Sequence, residues 1–78
     1  MAHKVIVYTA PWCPWCTRAK EYLTQKGIKF EERDIEVKPE FREELAEKSG
    51  QTGIPVIEID GELIIGFDED ALNKVFRP

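Results

Sequence analysis

Cysteine is scarce in this chain of 78 residues: Cys13 and Cys16 are the only two. Small secreted domains that hold a minimal core together with disulfides usually carry about four to eight cysteines, so stapling is excluded as the basis of this fold. Histidine is scarcer, with His3 alone, read as an exposed residue of the N-terminal tail. A structural zinc site takes about four Cys or His ligands, and one such chain falls short. Basic residues are outnumbered 11 to 15, for a formal charge of −4. That balance makes a poor general binder of phosphate backbones and excludes nucleic acid as the partner. Long apolar runs are missing as well. The run over residues 5–10 stops at Pro11, short of the roughly 20 residues that span a bilayer and too short for the apolar region of a secretory leader. The expectation is a soluble, cytoplasmic monomer that works away from membranes. In that compartment thiols stay reduced, and a cysteine pair is catalytic or metal-binding rather than structural.

Internal repeats and Pro/Gly/Ser-rich linkers are absent too, which leaves one domain over residues 1–78. A chain this small buries only about 60% of the surface its unfolded form exposes, with little room for a large enclosed substrate cavity. Asn and Met occur once each while 33% of residues are charged, a composition that leans toward thermophile-type proteins.

What is present is clear patterning. The β-branched run over 4–8 predicts a buried strand in which Tyr8 is a core residue; Pro11 and Pro14 break it. Good helix formers predict a helix over 15–26. Ala19, Tyr22 and Leu23 share its inner face, the stem of Lys26 lines the edge, and Gly27 caps the end. Residues 28–35 read as a second strand with poor alternation. Pro39 opens a helix over 39–48, with Phe41, Leu45 and Lys48 along its inner stripe and the charges over 40–47 on a solvated face. Residues 55–59 and 62–65 flank Asp60-Gly61, the preferred two-residue hairpin turn. Gly66 ends that strand, and Asp68 caps a last helix over 69–76 with Leu72, Val75 and Phe76 inward. The order βαβαββα, joined by right-handed crossovers, predicts an α/β fold: a four-stranded mixed sheet with helices on both faces.

Cys13-Pro14-Trp15-Cys16 falls at the junction of the first strand and the first helix. Unpaired N–H groups and the positive end of the helix dipole favour an anion there, and the thiolate is the reactive form of cysteine. A spacing of three on a helix puts the second sulfur on the same side, within reach of the first. Cys13 can therefore attack a disulfide, and Cys16 can resolve the mixed disulfide that forms. A structural disulfide is the bland alternative, but so short a loop contributes only about 2 kcal/mol. An iron–sulfur cluster shared between two chains stays open, since it could borrow thiolates from a second chain and a small thiol. Pro14 argues against it, because its ring stiffens the loop and its nitrogen cannot donate to sulfur.

Tyr8-Thr9-Ala10-Pro11-Trp12-Cys13-Pro14-Trp15-Cys16, followed by Ala19-Lys20 and Leu23, resembles the active-site segment of glutaredoxins. Thr52-Gly53-Ile54-Pro55-Val56 and Gly66-Phe67 are similar to the cis-proline loop and terminal glycine motif of the thioredoxin superfamily. The resemblance implies a thioredoxin fold, with Cys13 as nucleophile and Cys16 as resolving thiol. It implies a cis bond before Pro55, which would free the backbone of Ile54 to pair with an extended substrate chain; a trans proline that simply starts a strand is the alternative. Trp12, Pro14, Trp15, Ile54, Pro55, Gly66, Phe67 and Asp68 are then the candidate substrate-binding residues. Trp12 has core packing as its competing reading, and Arg18 and Lys20 either add positive potential near Cys13 or are simply solvated.

Three departures bear on the subfamily. Ala10 stands where many glutaredoxins carry a lysine that helps bind glutathione. Gly66-Phe67 stands where they carry Gly-Gly, and looks more like the redoxins that serve ribonucleotide reductase and are recharged by thioredoxin reductase. Val7 stands where thioredoxins keep a buried acid that takes the proton of the resolving cysteine. Independently, Asp68, Glu69 and Asp70 crowd the start of the last helix, where relatives receive a ligand carboxylate; they would repel an anion and predict weak glutathione binding. The expected function is reduction of disulfides in other proteins, such as a reductase. No metal or organic cofactor is bound, and electrons come from a flavoprotein, thioredoxin reductase, and NADPH. The alternatives are a glutathione-dependent glutaredoxin and, in another class, an iron–sulfur cluster or metal carrier.

Overall fold

A computed structural model describes residues 4–51 and 53–76; His3 and Thr52, both singled out above, lie outside them. The elements are β1 (Val5–Thr9), α1 (Pro14–Gln25), β2 (Glu31–Asp34), α2 (Pro39–Ser49), β3 (Val56–Ile59), β4 (Glu62–Ile65) and α3 (Glu69–Val75). The sheet order is β2-β1-β3-β4. β1 runs parallel to β2 and antiparallel to β3, and β3 and β4 form the hairpin. This is the expected four-stranded mixed sheet with three helices.

The central position of β1 explains its unbroken apolar sequence, because both of its faces are covered. Val5 and Val7 pack with Ala19 and Leu23 of α1 and Leu72 of α3 on one face. Ile6 and Tyr8 pack with Leu45 of α2 on the other. Asp60 (φ 51°) and Gly61 (φ 92°) turn the hairpin, the pair of positive φ values that a type I′ turn requires. Among the described residues no helix is long and apolar enough to cross a membrane.

Boundaries differ from the sequence expectation where tertiary context decides. β1 is shifted by one residue, to Val5–Thr9, and α1 begins at Pro14, which occupies N1. β2 is half the expected length: its ladder with β1 covers Glu31 to Asp34, and Ile28 and Phe30 before it pack against the core cluster instead. Its sequence Glu-Glu-Arg-Asp does not alternate because it lies at the sheet edge, where charge also discourages edge-to-edge association. α3 ends at Val75, with Phe76 as its C-cap. The charges of α2 are not all solvated: Glu44 accepts hydrogen bonds from the Tyr8 hydroxyl and from Arg33. The Tyr8 contact, with Arg33 behind it, holds the Glu44 carboxyl below the usual carboxylate range.

Candidate active site

β1 ends at Thr9, buried against the sheet, and the chain leaves it through the buried Ala10. The Cys13 N–H closes a turn onto the Ala10 carbonyl at 3.2 Å. Cys13 is then extended (φ −100°, ψ 107°) and serves as the N-cap of α1. Its Sγ accepts the backbone N–H of Cys16 at 3.2 Å, the contact an N-cap Ser or Asp oxygen ordinarily makes. The sulfur thus sits against the positive end of a 12-residue helix whose first turn carries no acidic residue, a position that favours negative charge.

The two sulfurs are unequal. Cys13 keeps 6% of its surface open, while Cys16 has none. Burial, and then the hydrogen bond with Cys13, push the Cys16 thiol up to about 11. Thr9 and the Ala10 backbone act the other way, toward the thiolate. The Thr9 hydroxyl is fully buried and has no partner of full hydrogen-bond geometry. It lies where Cys16 needs help to ionise, and Val7, buried in the strand, supplies no acid. A hydroxyl one residue past a β-branched run reads as ordinary strand propensity, so Thr9 carries no signal of its own beyond its place in the segment that resembles glutaredoxins.

Five of the candidate residues come together. Trp15, Ile54, Pro55, Gly66 and Phe67 line one shallow groove of about 240 Å³. The Ile54–Pro55 bond is cis, and the Gly66 N–H donates to the Pro55 carbonyl at 2.8 Å, tying the two loops. Trp15, 56% exposed, stacks on Phe67 with ring centroids 6.3 Å apart, and Tyr22 meets Phe67 edge-on at 6.0 Å. The Arg18 guanidinium stands 5.4 Å from the Trp15 ring centroid. Pro14 is exposed at N1 of α1.

The others lie outside the groove. Trp12 is 64% exposed, which removes the core-packing reading, and its indole N–H donates to Glu36 on the β2–α2 loop. Asp68 Oδ1 accepts the Ala71 N–H and caps α3. Lys20 is neither free in solvent nor unpaired: it forms an ion pair with Glu32 on β2 at 2.9 Å. Among the described residues no three His, Cys, Asp or Glu side chains gather as a metal would require.

The family model for glutaredoxin matches residues 5–64. A glutaredoxin of Pseudomonas aeruginosa is 48% identical over 66 residues, covering 85% of this chain and 77% of that protein. An uncharacterized glutaredoxin-like 8.6 kDa protein from the rubredoxin operon of Clostridium pasteurianum is 42% identical over 71 residues, covering 91% and 95%. Among solved structures, the thioredoxin-like protein BC3987 superimposes with a TM-score of 0.88 at 33% identity, covering 94% of this chain and all of that one.

Proposed function

This chain belongs to the glutaredoxin family, whose members are thiol–disulfide oxidoreductases, and from that premise we propose that it reduces disulfides of other proteins through Cys13 and Cys16. The observation that carries this reading is the inequality of the two sulfurs. One caps a helix at the edge of an exposed aromatic surface; the other is sealed one turn further on.

The chemistry follows from that inequality. The Cys13 thiolate attacks a sulfur of the partner disulfide. A Cys13–partner bond forms, the partner's S–S bond breaks, and its other sulfur leaves as a thiolate that takes a proton from water. Cys16 then gives up its proton and attacks the Cys13 sulfur. The mixed disulfide breaks, the Cys13–Cys16 disulfide forms, and the second partner sulfur leaves and is protonated. Two electrons and two protons pass to the partner. Burial keeps Cys16 protonated and out of the first step. Thr9 and the Ala10 backbone act toward the thiolate and favour release of its proton at the second step.

Electrons return from NADPH through a flavoprotein of the thioredoxin reductase type, and the protein works as a cytoplasmic monomer without bound metal or organic cofactor. Ala10, Gly66-Phe67 and the carboxylates at 68–70 support this reductant, as does the likeness to a thioredoxin-like protein. Relatives named glutaredoxin favour a second reading, in which glutathione recharges the dithiol. NADPH consumption with insulin as substrate separates the two. Thioredoxin reductase is expected to sustain turnover, and saturable activity at low glutathione with glutathione reductase would sink the choice. Cys16→Ser is expected to keep monothiol exchange and lose turnover of protein disulfides; full activity in that variant would refute the mechanism. Anaerobic reconstitution with iron and sulfide is expected to give no stable chromophore, and a stable one would turn the reading toward a cluster carrier.

A further inference from the structure

Trp12 precedes the nucleophile, yet packing does not hold its ring, which is mostly exposed. A hydrogen bond does: the indole N–H donates to Glu36 Oε1 at 3.2 Å. The same oxygen accepts Arg42 Nη2 at 3.1 Å. Glu36 projects from a loop that is tied down on both sides. The Ile35 N–H donates to the Thr9 carbonyl at 3.0 Å and joins the loop to the end of β1. The Glu36 and Val37 N–H groups both donate to Asp34 Oδ1, at 2.8 and 3.3 Å, the local turn that a short acidic side chain favours. A fixed backbone therefore carries the carboxylate, a cation steadies it, and the carboxylate holds an exposed indole in one place.

Stability does not account for this arrangement. Glu36 and Arg42 are each about half exposed, and ion pairs of that kind contribute little. A hydrogen bond to an exposed indole largely replaces one to water. The consequence is order. A large side chain that a partner must immobilise weakens binding, and one already held in place does not. Trp is also among the commonest anchors of protein interfaces.

We propose, resting on the reading above in which the substrate is a protein disulfide, that Glu36 is a positioning residue, steadied by Arg42, that pre-sets Trp12 beside Cys13. It thereby favours folded protein disulfides over small ones. A folded partner must lay its surface against whatever flanks Cys13, whereas a small disulfide reaches the sulfur with little contact to the indole.

The test compares wild type, Glu36→Ala and Glu36→Gln on insulin and on a small aromatic disulfide, with dithiothreitol as the common reductant. Glutamine keeps an oxygen for the indole N–H and loses the charge that Arg42 neutralises. Glu36→Ala is expected to raise KM for insulin about three- to tenfold, the cost of ordering one large side chain, with kcat within twofold. KM for the small disulfide rises less than twofold, and Glu36→Gln recovers most of the insulin KM. The Trp12 indole N–H resonance shifts in Glu36→Ala and stays near its wild-type position in Glu36→Gln. An unchanged insulin KM in Glu36→Ala, or equal losses on both substrates, overturns the positioning role. Wild-type turnover of insulin tests the underlying reading separately. A wild type that reduces only the small disulfide removes that reading and this inference together, whereas turnover with no difference between variants removes this inference alone.

Discussion

The backbone N–H of Cys16 donates to the sulfur of Cys13 across 3.2 Å. In the proposed reaction one residue thus acts twice, its peptide N–H holding the Cys13 sulfur and its buried side chain standing as the second thiol. Both roles come from a spacing of three on the first turn of α1, where the N–H groups have no helical partner. The two sulfurs also meet directly, and that side-chain contact with Cys13 is, after burial, the next cause that raises Cys16.

That elevation makes stability depend on alkaline pH. The Cys16 thiol is raised from 9.0 to about 11 on folding, so between those values the folded state holds a proton that the unfolded state has released. Stability is full below about pH 9 and falls as pH rises toward 11. By pH 10.5 the loss from Cys16 is about 2 kcal/mol. Burial raises Tyr8 as well, with Glu44 adding to it, and that pushes stability in the same direction. Urea denaturation under reducing conditions at pH 8 and pH 10.5 therefore needs Cys16→Ser beside the wild type. The loss is expected to be smaller in the variant by about the Cys16 share, and equal losses would show that Cys16 is not raised.

Thr9 is expected to be a residue where function and stability oppose each other. A buried hydroxyl without a partner costs about 1–3 kcal/mol, and Thr9→Val removes it while keeping the shape, so the variant should be more stable by about 1 kcal/mol. The hydroxyl favours the Cys16 thiolate, and a hydrogen bond to a charged group is worth about 1.5–3 kcal/mol. Release of partner from the mixed disulfide should slow about tenfold or more at neutral pH. Denaturant midpoints and single-turnover release measure the two effects. A less stable Thr9→Val with unchanged release would reduce Thr9 to a packing residue.

The features legible in the sequence are those whose causes are local. Asp60-Gly61 announces its hairpin because both positions require positive φ. Cys13 and Cys16 announce the site because their spacing, with Pro14 at N1, belongs to a helix start. β2 was poorly legible because its length is set by β1 beside it and its side chains by an edge position. Trp12 and Glu36 lie 24 residues apart and meet only because β2 runs parallel to β1 and returns its loop to the same end of the sheet. Trp12 alone reads as docking surface or as core packing, and nothing in the sequence sets Glu36 apart from the other acidic residues. Glu44 was hidden for a related reason, since one inward carboxylate among the charges of α2 leaves no periodic trace.

Phe67 is expected to act through Trp15. The stacked pair forms part of the groove wall, and Phe67 also packs against the core cluster of α1 and α3. Phe67→Leu keeps most of that burial and removes the ring on which Trp15 rests. An aromatic pair is worth about 0.5–1.5 kcal/mol beyond its area, so KM for insulin should rise about three- to tenfold, with stability changed by less than about 1.5 kcal/mol. Initial rates over a range of insulin concentrations give the first and urea denaturation the second. An unchanged KM would place the groove outside the path of the substrate.

The carboxylates of α3 are expected to set the choice of reductant. Asp68 accepts the Ala71 N–H, and Glu69 and Asp70 occupy the first turn, so the positive end of this helix is already complemented by its own side chains. Glutathione arrives carrying carboxylates and meets that negative charge. Glu69→Gln combined with Asp70→Asn leaves the cap in place and removes two of the three charges. Recharging by glutathione should then accelerate about fivefold or more, at about two- to fivefold per charge, while recharging by thioredoxin reductase stays within twofold. Because the repulsion acts between exposed charges, salt screens it. Raising the ionic strength should speed the glutathione reaction of the wild type and leave that of the double variant nearly flat. A wild-type rate that falls with salt would mean that glutathione is attracted to this surface, and the preference for a flavoprotein reductase would lose its electrostatic basis.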